Sequence, residues 1–303
     1  MTGSPRRREA PGERYVVIGA TGQLGSDLVR TFDRPGELTP LSTRDVDILD
    51  PAATRSTLEA LRPTCVLNTA AYNLVDRAEE DGRSAFALNA EAVGSLADVC
   101  QSIGARLVHF STDYVFDGAA GRSYTEEDPT HPLGAYAVSK LAGELYAQAY
   151  LDSPLIVRTS GVFGPGGLKT ARGNFIELML RLASAPSQQP IRVVEDHVAS
   201  PAYAPVLAGR TLDLLERNCS GIFHVGGGMP ISWFEYAKLI FETAGLHPLL
   251  QPTNEREYRT AARRPKYSAL SNAKMESEGV APFPPLAVAV KSYLAMRRIM
   301  IES

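Results

Sequence analysis

Tyr15-Val16-Val17-Ile18-Gly19-Ala20-Thr21-Gly22-Gln23-Leu24-Gly25 is a short apolar run that breaks into glycines spaced three residues apart. The apolar run reads as a buried strand, and the apolar positions that follow, Leu24, Leu28, Val29 and Phe32, recur at helical spacing. Strand, glycine turn and helix in that order open a dinucleotide-binding βα unit. Glycine lets the backbone turn sharply and approach a pyrophosphate, while the N–H groups of the helix's first turn face that anion. Gly19, Thr21, Gly22, Gln23, Leu24 and Gly25 are therefore the first cofactor-binding candidates.

Downstream, strand and helix patterns alternate. Leu38–Leu41 reads as a second strand, and Asp50-Pro51 opens a helix, with Asp as N-cap and Pro in the first helical position. Cys65–Asn68 is a third strand, followed by a long helix from about Ser84 to Ile103 and a fourth strand, Leu107–Phe110. A helix over about Ala135–Ala149 precedes a fifth strand, Leu155–Val157. Strands alternating with helices pair in parallel through right-handed crossovers, with helices on both faces. The fold class is therefore α/β, a Rossmann-type doubly wound parallel sheet.

Beyond Thr159 the pattern changes. Glycine and proline are dense from Gly161 to Gly173. Next come a helix near Phe175–Leu182, a strand at Ile191–Val194, a helix over about Tyr203–Arg217 and a strand at Gly221–Val225. Ser232 caps a helix through Trp233, Tyr236, Ile240 and Phe241, and a last helix spans about Leu286–Met300. The expected organisation is a tail over residues 1–13, a dinucleotide-binding domain over 14–160 and a smaller C-terminal substrate-binding lobe over 161–303. Some elements of that lobe are expected to return to the sheet.

The 303 residues suffice for a large core, and 31 Lys plus Arg against 34 Asp plus Glu create no field that calls for nucleic acid or an anionic membrane. No apolar run approaches the roughly 20 residues of a membrane span. Arg6-Arg7-Arg8 lies in a stretch with no apolar segment, which reads as a frayed tail and not a secretory signal. Cys65, Cys100 and Cys219 are odd in number and far apart, as expected of reduced thiols in a cytoplasmic protein.

The end of the second strand discriminates between dinucleotides, because an acidic residue there binds the ribose 2′-hydroxyl and a basic one a 2′-phosphate. Here the segment is Leu41-Ser42-Thr43-Arg44-Asp45, and Arg44 favours NADPH, with NADH as the alternative. Asp47 and Ile48 are placed to flank the adenine. Asn68, Ala70 and Ala71 belong to a third-strand loop that passes under the cofactor.

Tyr136 and Lys140 lie four residues apart, on one face of one helix. The pair suits ketone reduction: the phenol gives its proton to a developing alkoxide, and the neighbouring cation lowers a phenol pKa that is ordinarily near ~10. The lysine also holds the nicotinamide ribose. A hydroxyl at the end of the fourth strand completes the set, and Thr112 supplies it, sharing the charge that develops on the substrate oxygen. His109 and His224 fall on buried strands and read as core residues. His197 is a candidate for the substrate pocket.

Several runs now add up to a resemblance that spans about Tyr15 to Tyr293. They are Ser111-Thr112-Asp113-Tyr114-Val115-Phe116-Asp117-Gly118, Tyr136-x-x-x-Lys140-Leu141-x-Gly143-Glu144, Arg158-Thr159-Ser160 and Gly173-Asn174-Phe175. Asn68-Thr69-Ala70-Ala71-Tyr72, Val75-Asp76-x-Ala78-Glu79 and Arg264-Pro265-x-x-Ser268-x-Leu270 match as well. The chain resembles the dTDP-4-dehydrorhamnose reductases of the extended short-chain dehydrogenase family. The resemblance implies reduction of the 4-keto group of a dTDP-6-deoxy-hexulose, with Thr112, Tyr136 and Lys140 catalytic. It also implies that Asp113 and Tyr114 lie near the sugar and Asn174 near the nucleotide. Some relatives use Mg2+ at a subunit contact; no ligand cluster in the sequence places that ion, and a homodimer stays open.

Two departures stand out. Where the family commonly carries an aromatic residue near the sugar, this chain has Gly161, in Gly161-Val162-Phe163-Gly164. A later family motif appears as Asp196-His197-Val198-Ala199-Ser200-Pro201-Ala202, with His197 in place of an amide and Ala199 in place of a glycine. They leave room for a different 4-keto sugar. Two other readings keep the same residues: a nucleotide-sugar epimerase with bound NAD, and a non-catalytic NADP-binding regulatory subunit like the β subunit of methionine adenosyltransferase.

Overall fold

The structure, a computed structural model, describes residues 13–32, 36–170, 173–186 and 189–302. The tail expected over residues 1–13 therefore lies, Glu13 apart, outside the described residues. The first strand, β1 (Tyr15–Ile18), delivers the chain through the glycine turn into α1 (Gln23–Thr31), and β2 (Leu38–Leu41) returns beside it. Asp50 accepts the backbone N–H groups of Ala52 and Ala53 at 3.0 Å and so starts α2 (Pro51–Leu61) where the sequence places it. Then come β3 (Cys65–Asn68), α3 (Gly82–Phe86), α4 (Ala92–Ile103), β4 (Arg106–Thr112), α5 (Ala135–Tyr150) and β5 (Leu155–Thr159). The C-terminal half contributes α6 (Phe175–Ser184), β6 (Ile191–Val194), β7 (Val198–Ala199), α7 (Ala204–Glu216), β8 (Gly221–His224) and β9 (Ile231–Ser232). It closes with α8 (Trp233–Ala244), β10 (Leu250–Thr253), α9 (Ala273–Ser277) and α10 (Leu286–Glu302).

Six strands form one sheet in the order β2-β1-β3-β4-β5-β8, and every neighbouring pair is parallel. Side chains alternate strictly across it. Tyr15, Val17, Leu67, Val108, Phe110 and Val157 face a core closed by Leu28 of α1 and Leu207, Leu214 and Leu215 of α7. Val16, Ile18, Val66, Leu107 and Ile156 face a second core under Leu58 of α2, Leu96 and Val99 of α4 and Ala147 of α5. Strand order reverses between β1 and β3, which opens a crevice at their C-terminal ends.

A third core binds the remaining elements around Phe163, Ile176, Tyr236, Ile240 and Tyr293. Two small sheets belong to this part, β6 with β10 in parallel and β7 with β9 antiparallel. Among the C-terminal elements β8 joins the main sheet beside β5, and Leu207, Leu214 and Leu215 of α7 pack in the first core.

The differences from the sequence reading have local causes. β4 continues through Ser111 and Thr112, and β5 through Thr159, because these polar residues keep the ladder while their buried side chains bond Glu144, Asp113 and the Val225 carbonyl. The long helix begins at Gly82 and carries a π-helical turn over Ala87–Glu91. That turn carries Asn89, whose side chain accepts the Tyr72 N–H at 2.8 Å and donates to Ser139 Oγ at 3.0 Å. The two-residue strands β7 and β9 and the five-residue α9 are too short to carry a periodicity.

Helix α5 lies unusually close to its neighbours. A methyl group on Gly143 would come within 2.2 Å of the Asn89 carbonyl oxygen, so only glycine permits this approach. The next residue, Glu144, has no exposed surface; it pairs with Arg158 of β5 (Nη2–Oε2 2.7 Å, Nε–Oε1 3.0 Å) and accepts the Ser111 hydroxyl of β4. Truncating one member leaves the other charged and buried. Glu144→Ala is therefore expected to destabilise the protein by about 3–5 kcal/mol, read as a lower urea midpoint; an unchanged midpoint would show that the pair does not anchor the helix.

Candidate active site

The glycine turn is built by close approach. Gly19 has φ +78°, and a Cβ there would lie 2.8 Å from Thr69 Oγ1 and 2.9 Å from the Ala70 nitrogen. A Cβ on Gly25 would lie 2.2 Å from the Gly19 carbonyl oxygen. Helix α1 starts on Gly22 with no side-chain cap, which leaves its first N–H groups for an anion. Thr21 lines the adjoining crevice and Leu24 packs against the core. Gln23 reaches away from the turn and donates to the Val162 carbonyl at 2.6 Å, tying the loop to the C-terminal half.

The Asn68-Thr69-Ala70-Ala71 loop runs against this turn. Thr69 Oγ1 donates to the Ile18 carbonyl at 2.7 Å. Asn68 is 1 % exposed; its amide oxygen accepts the Ala70 N–H at 3.2 Å and its amide nitrogen lies 3.4 Å from His109 Nδ1. Asn68 thus shapes the loop from inside, while half-buried Ala70 and Ala71 present its surface. His109 and His224 are both fully buried, as core histidines are.

A crevice of ≈ 430 Å³ adjoins the turn, lined by Ala20, Thr21, Arg30, Ser42, Asp45 and Lys169 among others. Asp45 accepts both the N–H and the hydroxyl of Ser42, at 2.8 and 2.7 Å, and these bonds hold its carboxyl below the usual range. Arg44 sits in the same turn with its side chain exposed. Arg30, ion-paired with the buried Asp27, and Lys169 are cationic groups that reading the strand end alone misses. Asp47 and Ile48, expected at the adenine, have structural duties: Asp47 accepts the Leu49 N–H at 3.0 Å, and Ile48 is 4 % exposed in the second core. Glycines with no room for a Cβ, an uncapped helix start and an adjoining crevice fit a dinucleotide.

Thr112, the last residue of β4, is 6 % exposed; its hydroxyl accepts the Tyr114 N–H and donates to Asp113 Oδ1, both at 3.2 Å. Lys140 is 2 % exposed, and its ammonium donates to the Phe110 carbonyl of β4 at 2.6 Å. Burial pushes the Lys140 pKa down to about 8, opposed by the nearby Glu144 carboxylate. Tyr136 lies one turn earlier on the same helix, half-buried, its ring edge-on to Tyr114 with centroids 6.2 Å apart. The structure thus brings Thr112, Tyr136 and Lys140 to one end of the sheet, through Phe110 and Tyr114.

Asp113, expected near the sugar, turns inward instead. It is 3 % exposed, and its carboxylate accepts the hydroxyls of Ser160 (2.8 Å), Ser268 and Thr112. Burial pushes its pKa up to about 6 against those hydrogen bonds. Tyr114 is hydrogen-bonded to Arg264, which forks onto Asp76 at 2.9 and 2.7 Å; burial pushes the phenol up to about 12. This gives Asp76 the role that spacing alone does not reveal. Asn174 caps α6 through the Glu177 N–H at 3.1 Å and donates to the Tyr293 hydroxyl at 3.1 Å, so its amide is engaged by the protein. His197 is 6 % exposed, with its ring 3.2 Å from Asp196 Oδ1. Ser160 and Ser268 were visible as motif residues, but their shared carboxylate lies on a third segment, so no spacing along the chain links them.

Among the described residues, no cluster of three or more His, Cys, Asp or Glu side chains could hold a metal ion, so Mg2+ gains no site here. No described helix is long and apolar enough to cross a membrane.

Parallel sheet, glycine turn and a helix-borne tyrosine and buried lysine define an NAD(P)-dependent oxidoreductase of the extended short-chain dehydrogenase class. A family model described as RmlD substrate binding domain matches residues 13–299. The chain belongs to that family, which is that of the dTDP-4-dehydrorhamnose reductases. It is 38 % identical over 277 residues to the dTDP-4-dehydrorhamnose reductase of Mycobacterium tuberculosis, covering 89 % of this chain and 88 % of the relative. The crystal structure of such a reductase from Clostridium acetobutylicum superposes with a TM-score of 0.89 at 31 % identity, over 94 % of this chain and 99 % of the other. One from Bacillus anthracis, in complex with NADP, gives 0.87 at 31 %, over 94 % and 100 %.

The close packing inside the glycine turn generates a direct expectation. Gly25→Ala forces the Gly19 carbonyl to move, and NADPH affinity should fall at least about tenfold in a fluorescence titration, about 1.4 kcal/mol or more. An affinity within twofold of the parent protein contradicts the cradle.

Proposed function

We propose that the chain catalyses NADPH-dependent reduction of the 4-keto group of a dTDP-4-keto-6-deoxy sugar, converting dTDP-4-dehydro-L-rhamnose into dTDP-L-rhamnose. The observation that carries this reading is the buried Lys140 ammonium, seated on the Phe110 carbonyl one helical turn from Tyr136. Such a lysine, 2 % exposed beside the end of β4, is costly to keep unless its charge is used.

Bound NADPH supplies the hydride. Tyr136 gives the phenolic proton to the sugar oxygen as it becomes an alkoxide, and the positive Lys140 favours the phenolate left behind. Thr112 donates its hydroxyl to the same oxygen. In the free protein that hydroxyl points to Asp113 Oδ1, and it turns to the substrate while Ser160 and Ser268 keep their hydrogen bonds to Oδ2 of the same carboxylate. Residues 14–160 serve the cofactor and residues 161–303 mainly the substrate, with α7 and β8 returned to the dinucleotide half. Three free, buried cysteines fit a cytoplasmic enzyme.

Incubation with dTDP-4-keto-6-deoxyglucose, a 3,5-epimerase and NADPH should consume the cofactor above the no-enzyme control. Tightly retained NAD with no net consumption would instead favour the epimerase reading. Tyr136→Phe should bind NADPH normally and lose at least about a hundredfold in turnover, since a positioned proton donor contributes roughly 10²–10⁴. The Lys140 pKa sits below that of a free lysine, so its charge is complete below about pH 8 and lost above it. Activity should therefore decline as pH rises through about 8; a profile level to pH ~10, where free lysine titrates, would remove the ammonium from the mechanism.

A further inference from the structure

Gly161 follows Ser160, which bonds Asp113 and through it Thr112. Its φ is +49°, and a methyl group on it would lie 3.3 Å from Pro201 Cα and 3.4 Å from Cη2 of Trp233. The space that a side chain at 161 would enter is therefore already bounded by an indole from the start of α8. The Trp233 N–H donates to the His197 carbonyl at 3.1 Å. Its ring stands edge-on to Phe175, with centroids 4.7 Å apart, and Phe175 follows Asn174. The neighbouring aromatics Phe163 and Tyr236 are at most 1 % exposed, whereas Trp233 is only half-buried. Trp233 and its neighbour Phe175 are thus the partly open rings of this aromatic group, at the place where the segments at 161, 174, 197 and 201 meet.

Resting on the reductase reading, we propose that Trp233 is the sugar-recognition residue of this enzyme, its indole forming the apolar wall against which the C–H face and methyl group of the 6-deoxy-hexulose pack. A deoxy sugar presents few hydroxyls on that side, and an aromatic surface is the matching apolar partner. Asp113, Asn174 and His197 each hydrogen-bond within the protein, and the indole adds to the sugar site a shape and an apolar contact that these polar groups do not supply. Gly161 makes that arrangement possible by leaving the indole its place.

Trp233 is the single tryptophan of the chain, so emission excited at the indole edge reports this residue alone. The nucleotide-free protein is titrated with dTDP-L-rhamnose and, separately, with dTDP. A saturable emission change with the sugar nucleotide and little with dTDP is expected. Equal changes with both, or no change under dTDP-L-rhamnose concentrations that displace bound dTDP, overturn the proposal. In the reductase assay Trp233→Ala should raise the sugar KM about tenfold, with kcat and NADPH affinity nearly unchanged, and Trp233→Phe should recover part of the loss. A parental KM in a folded, active Trp233→Phe and Trp233→Ala pair overturns it as well. If the parent protein leaves the keto sugar unreduced yet its emission answers dTDP-L-rhamnose, the reaction is wrong and the indole's role stands.

Discussion

The carboxylate of Glu144 takes two charge-assisted bonds from Arg158 and a hydroxyl from Ser111, all out of contact with water. It thereby joins α5 to both β4 and β5, and it sets how that helix is rolled on the sheet. One turn back, the same roll delivers the Lys140 ammonium to the Phe110 carbonyl, and a further turn back it presents Tyr136 beside Tyr114. Gly143 allows the helix to come close enough for all three. The pair has an electrostatic consequence too: the Glu144 charge counteracts the desolvation of Lys140, so that the lysine stays protonated near neutrality.

Asp113 does for the two halves of the molecule what Glu144 does for the helix. Its oxygens collect hydroxyls from the end of β4, from the segment after β5 and from the segment near residue 268. A buried carboxylate is stable only when such donors are in place, so the node forms only when the C-terminal half has docked. The hydroxyl it orients is that of Thr112. Docking of the C-terminal half and alignment of a group expected to meet the substrate are therefore one event. The Tyr114–Arg264–Asp76 chain repeats the arrangement on the other side of Tyr136.

Much of this was legible along the chain. Apolar runs ending in glycine or a capping aspartate mark strands and helices because burial and hydrogen bonding act locally: β1, β2 and β3 occupy the expected residues and α2 starts at the expected Pro51. The glycine turn is likewise a local device, as is the four-residue spacing of Tyr136 and Lys140. Reading stops where a residue's partner is remote. The sequence marks Asp113, Asn174 and His197 as candidate ligand contacts but does not show that Ser268, Tyr293 and Asp196 hydrogen-bond them.

What the sequence by itself determined is the dinucleotide fold, and it marked Thr112, Tyr136 and Lys140 as candidates for the chemistry, since both follow from short-range periodicity and spacing. The tertiary structure alone decided which polar side chains are turned inward to hold the molecule together and which remain for a ligand. The glycine turn that defines the fold shows the division: its conformation is local, but its seat against Thr69 and Ala70 and its tie from Gln23 to Val162 come from distant segments. Hydrogen bonds and close contacts between such segments are specified by packing in three dimensions, and no periodicity along the chain encodes them.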